Sequence, residues 1–139
     1  MHKAAIFLIA VSAVAQAPSS RAVGTMSQLM IDVIYPTSNA IFYIERTPPQ
    51  TEVDWEGIRT NALTLAESAN LLMMAARARD NDKWMTDAKL LLDAGSAAYK
   101  AAVSKDTAAI VALNDQLTNA CIQCHMDYRS NYRRRPAAK

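Results

Sequence analysis

The chain has 139 residues, of which 51% are hydrophobic and 20% charged, with 15 basic against 13 acidic side chains and a net charge of +2. That length suits one domain and leaves no room for a second. Twenty-six alanines and 11 leucines against only 3 glycines favour helix and exclude all-β and collagen-like folds, and the basic residues lack the clustering with aromatics that a nucleic-acid surface needs, apart from Arg133, Arg134 and Arg135 at the tail.

Met1, His2 and Lys3 open the chain, and an apolar run of 12 residues follows at positions 4–15. The run is too short to span a bilayer, which takes roughly 20 helical residues. With small residues at Ala13, Ala15 and Ala17 ahead of Pro18, it reads as a secretory signal over residues 1–17, cleaved near Ala15 or Ala17. The expected location is the periplasm, with no stable membrane insertion after cleavage. Residues 18–139 form the single mature domain, in which the net charge falls to +1 with the loss of Lys3, and His125 is the only remaining histidine.

Four helical segments follow. The first covers about residues 25–44, with Met26, Met30, Val33, Thr37, Ile41 and Ile44 at steps of three or four. Pro36 disfavours helical geometry at Tyr35, which predicts a kink or a break. Thr51 caps a second helix to about Arg79, whose face is Trp55, Ile58, Ala62, Leu65, Ala69, Leu72 and Ala76. Asp82 caps a third, with Trp84, Ala88, Leu91, Gly95, Ala98 and Ala102 on one side. The fourth begins after Asp106 and aligns Ile110, Leu113, Leu117, Ala120, Cys124 and Tyr128. Short loops make sequential helices antiparallel neighbours, so the expected fold is an all-α, up-down-up-down four-helix bundle. Gly95 marks a close approach of a bulky group or of a partner helix, or a tolerated glycine.

Cys121, Ile122, Gln123, Cys124 and His125 spell C-x-x-C-H, the attachment sequence for c-type haem. On a helix, positions three and four apart share a face. Both thiols can then reach the two haem vinyl groups to form thioethers, and the adjacent imidazole can ligate iron. Other readings are weaker. A redox dithiol of the thioredoxin kind needs a βαβ context, a zinc site wants four ligands where the mature chain has three Cys and His residues in all, and a Cys121–Cys124 disulfide would strain a continuous helix and leave His125 unexplained.

His125 is followed by Met126, Asp127, Tyr128 and Arg129, completing C-x-x-C-H-x-x-Y-R near the end of the last helix. This string, so placed, resembles the cytochrome c prime superfamily, including its low-spin, methionine-ligated branch. The resemblance implies one covalent haem c, Cys121 and Cys124 as its thioether sites, His125 as proximal iron ligand and Arg129 as a basic neighbour on the proximal side. It also implies that the first helix supplies the distal side. Met26 and Met30 share a face there, and Met26 is favoured narrowly over Met30. The family pattern has an Arg four residues before the distal residue, whereas Arg21 lies five before Met26 and Met26 itself lies four before Met30.

Met73, Met74 and Met85 read as packing, as do Trp55, Trp84 and Tyr128, and Met126 is not expected as a ligand. Arg21, Arg77, Arg79 and Lys83 are either solvated or partners of the haem propionates. The implied function is a one-electron carrier with His/Met-ligated haem, serving redox partner proteins and able to pair with a second copy through its first two helices. The alternative is a five-coordinate haem protein that binds a diatomic gas such as nitric oxide. Enzymatic turnover is not expected, because the first helix offers only Ser27, Gln28 and Asp32 as polar groups near the distal side.

Overall fold

A computed structural model describes residues 20–129; the expected leader and the arginine-rich tail lie outside the described residues. Among the described residues there are helices and no strands. Thr25 starts the first arm with a capping box: its hydroxyl accepts the Gln28 N–H at 3.2 Å, and the Gln28 side chain accepts the Thr25 N–H at 2.9 Å. A single helical turn, α1 (Met26–Gln28), runs into a π-helical stretch (Leu29–Ile34) and then into α2 (Tyr35–Phe42).

Pro36 therefore neither breaks nor separates these helices. Tyr35 keeps helical angles (φ −61°, ψ −53°), and its N–H bonds Met30 O five residues back. The widened turn carries the ring of Pro36 without a stop. Proline lacks an N–H, and the Thr37 hydroxyl takes up two nearby carbonyls, Val33 O at 2.7 Å and Ile34 O at 3.1 Å. The wide turn also shifts the buried face. Leu29 and Ile34, five apart and absent from the sequence-derived stripe, are both buried, while Val33 is half-buried.

Thr51 and Asp54 form the second capping box, at the start of α3 (Glu52–Met73). The helix stops six residues before the expected Arg79, where Met74 turns to an extended ψ of 138°. The turn that follows is tied down by Arg77, whose guanidinium donates to Gly24 O at 3.2 Å and to Met74 Sδ at 3.3 Å. Asp82 precedes α4 (Lys83–Val103) but makes no side-chain cap. That work falls to Asp80, which accepts the N–H groups of Asp82 at 3.0 Å and Trp84 at 2.9 Å. The expected fourth helix is two pieces, α5 (Thr107–Val111), capped by Asp106, and α6 (Asn114–Tyr128), joined by a tightened turn in which Leu113 N–H bonds Ile110 O.

The first arm packs on α3, α3 on α4, and α4 on both α5 and α6. Ile41, Ile44, Leu65, Ile110 and Leu117 are the largest fully buried apolar side chains. Alanines at 62, 69, 94, 98 and 102 let the long helices come close. The tightest approach is at Gly95, where a Cβ would lie 2.7 Å from Ala66 N and 2.8 Å from Ala66 Cα. The glycine thus serves the partner helix α3. Because backbone cannot move aside as a side-chain tip can, Gly95→Ala is expected to destabilise the fold by about 1–3 kcal/mol despite the better helix propensity of alanine, read as a lowered midpoint in urea unfolding.

Candidate functional site

α6 presents Cys121, Cys124 and His125 on one unbroken helix, and Arg129 closes it by donating its N–H to His125 O at 3.0 Å. The helix faces a chamber of about 330 Å³ whose lining includes Cys124, His125, Tyr128 and Arg129 from this end, Trp84 from α4, Arg79 from the preceding loop, and Met26, Ser27, Met30 and Ile31 from the first arm. Both methionines therefore face the same space as His125. A smaller inner chamber of about 40 Å³ adjoins it, lined by Cys121, Cys124, His125 and Ala120 with Met30, Ile34, Leu72, Asp87, Ala88 and Leu91. Met30, Cys124 and His125 line both chambers; Met26 lines only the outer one.

The wall is held rigidly. Trp84 donates its indole N–H to Leu72 O at 2.8 Å and meets the Tyr128 ring edge-to-face, centroids 4.9 Å apart at 77°. The Tyr128 hydroxyl donates to Asp80, which raises the phenol pKa and lowers that of the carboxyl. One carboxylate thus joins the start of α4 to the end of α6.

Burial sets the protonation states. The Cys121 thiol is pushed up by desolvation, and Cys124 is pushed up to about 11 by desolvation first and then by the charges of Asp87 and Asp127. A reactive dithiol needs a depressed thiol pKa, so these protonated sulfurs are poor exchange nucleophiles. His125 is shifted down by desolvation and by the nearby Arg129 charge, which favours the neutral imidazole with a lone pair to give. A neutral imidazole and a thioether lining one apolar space can hold a transition metal between them, and protonated thiols at i and i+3 can add across two vinyl groups. Among the described residues no group of three or more His, Cys, Asp or Glu side chains could hold a bare metal ion.

The other basic residues divide clearly. Arg79 and Arg129 line the outer chamber and are exposed. Arg77 is committed to Gly24 and Met74, Lys83 to Asp127 at 2.8 Å, and Arg21 lines neither chamber. Met73 and Met85 pack against the core, Trp55 is buried in it, and Met126 is exposed. Sequence reasoning missed Asp87, which is only 3% exposed and lines the inner chamber. Its position was a signal: it lies three residues after Trp84 and four before Leu91, inside the apolar stripe of α4.

Comparisons with protein-family models, with curated proteins and with solved structures find no match for this chain. No helix among the described residues is long and apolar enough to cross a membrane.

Proposed function

We propose that the chain is an exported, monohaem c-type cytochrome that carries single electrons, its helices arranged as an up-down-up-down antiparallel bundle around the haem. The observation that carries this reading is that Met30, Cys124 and His125 all line both chambers. The residues fit the group: the larger chamber falls at the lower end of the roughly 300–1,000 Å³ range of ligand sites, its lining is mostly apolar, and two thiols with a neutral imidazole sit on one helix face. When bound, the haem supplies a one-electron iron couple whose potential a methionine opposite histidine raises.

The protein's own residues would share the remaining tasks. Cys121 and Cys124 would hold the ring through thioethers, and His125 and Met30 would ligate the iron. The resemblance favours Met26 as distal ligand; the shared lining favours Met30, which lines both chambers with His125 whereas Met26 lines only the outer one. Arg79 and Arg129, exposed in the outer lining, would pair with the propionates, and Trp84 and Tyr128 would pack against the ring. Of the three polar residues near the distal side, only Ser27 lines the chamber, and Gln28 is occupied in its capping box. A second copy would pair through the first arm and α3, where Ile31, Tyr35, Leu63 and Leu71 are exposed.

The test is the absorption spectrum of the exported, purified protein. Electron transfer with His/Met ligation is expected to give sharp low-spin bands on reduction, the weak sulfur-to-iron charge-transfer band when oxidised, and no change with carbon monoxide. Broad high-spin bands that shift with carbon monoxide would make diatomic-gas binding the function, and a colourless protein would exclude both.

A further inference from the structure

Among the described residues the buried polar side chains are Thr37, Ser38, Ser68 and Asp87, and only Asp87 is ionisable. The three hydroxyls each donate to a carbonyl of their own helix, so their burial is accounted for. Asp87 is not so provided. Its Oδ1 lies 3.6 Å from Lys83 Nζ, an ammonium held closer, at 2.8 Å, by Asp127, and its Oδ2 is buried without a hydrogen-bond partner. A buried, half-satisfied carboxylate is costly. An apolar residue at this point of the α4 stripe would avoid that cost.

The location gives the charge a use. Asp87 lines the inner chamber with Cys121, Cys124 and His125, and the first arm and α3 contribute only Met30, Ile34 and Leu72 to that lining. The charged groups beside Asp87 are Lys83 on its own helix and Asp127 on α6. The Lys83 side chain is 55% exposed, so water screens the ammonium more than the carboxylate. Asp87 is the only Asp, Glu, Lys or Arg side chain in the lining of the inner chamber, where the medium screens its charge weakly, while Arg79 and Arg129 line the outer one.

We propose that Asp87 sets the potential of the bound haem: its carboxylate, built into the chamber wall, stabilises the ferric over the ferrous state and holds the potential below what His/Met ligation alone would give. This rests on the haem reading above. Asp87 acts through space on the iron and takes no part in ligation, so removing its charge should move the potential and leave the ligand spectrum alone.

The experiment is redox titration of the holoprotein with Asp87→Asn, beside the wild type and Lys83→Met. The isosteric D87N change is expected to favour the ferrous form about tenfold or more, a rise of about 59 mV per tenfold for one electron, and K83M is expected to shift the balance the other way. An unchanged D87N potential in protein with normal spectra would overturn the inference. Should D87N fail to fold, aspartate isotope labelling in Asp127→Asn protein gives a second readout: an infrared band sensitive to the label that shifts on haem reduction supports the role, and no such band defeats it. Covalent haem is counted in every sample. Haem present with no shift defeats this inference alone, whereas absence of haem defeats the functional reading with it.

Discussion

Replacing Cys121 and Cys124 together with serine is expected to abolish covalent haem: the variant should lose all haem staining on a denaturing gel, while the wild type keeps its colour. Serine is close to cysteine in size and both sites are half-buried on the middle of α6, so the helix should persist and the loss should report chemistry rather than unfolding. Each single variant should keep one thioether, visible as a shifted reduced spectrum because one vinyl group stays conjugated to the ring. The competing dithiol reading expects something else, namely a fast-reacting thiol at neutral pH. With Cys124 pushed up to about 11 and Cys121 also raised, alkylation of the apoprotein at neutral pH should be slower than that of a free cysteine with its ordinary pKa of about 8.5. Retained haem stain in the double variant would sink the attachment role.

The extent to which the fold and site could be read from the sequence differs from helix to helix, for local reasons. In α3 and α4 the apolar residues step by three and four, and Trp55, Leu65, Leu72, Trp84, Leu91 and Ala98 are all buried as that spacing requires. The first arm defeats the same rule, because a π turn between Met30 and Tyr35 changes the period, and no residue pattern signals such a turn in advance. Pro36 marked the place but not the outcome. At the end of α3 the alanines 75, 76 and 78 prolong an apparent helix, while the turn is closed by bonds to Met74 O and Sδ together with one from Arg77 to a residue 53 positions away, which no local reading supplies. That Cys121, Cys124 and His125 lie together was legible because their spacing puts them on one helix, and all three line the inner chamber. Met26 and Met30 could be read only as a pair, since they are equivalent on an ideal helix and differ in the structure in that Met30 alone lines both chambers. Asp87 was passed over for the opposite reason: an ionisable residue in an apolar stripe looks like a gap in the pattern until its burial is seen.

Met30→Ala is expected to open the sixth position: loss of the sulfur-to-iron band, high-spin spectra in both oxidation states, and a ferrous form that goes from no carbon monoxide binding to full binding. The basis is the junction that Met30 occupies. It lines both chambers with Cys124 and His125, and its carbonyl accepts the N–H of Tyr35 in the widened turn that carries the chain past Pro36. That turn anchors the backbone of Met30, with Leu29 and Ile34 buried around it. Met26, at the capped start of the arm, lines only the outer chamber. Met26→Ala should therefore keep the low-spin spectrum. The reverse pattern, with M26A high-spin and M30A low-spin, would move the ligand one turn toward the amino terminus and leave Met30 as packing. Loss of methionine also removes a ligand that raises the potential, so M30A should titrate below the wild type and D87N above it. Opposite shifts from two walls of one chamber, one with a change of spin state and one without, would separate ligation from electrostatics in setting the potential.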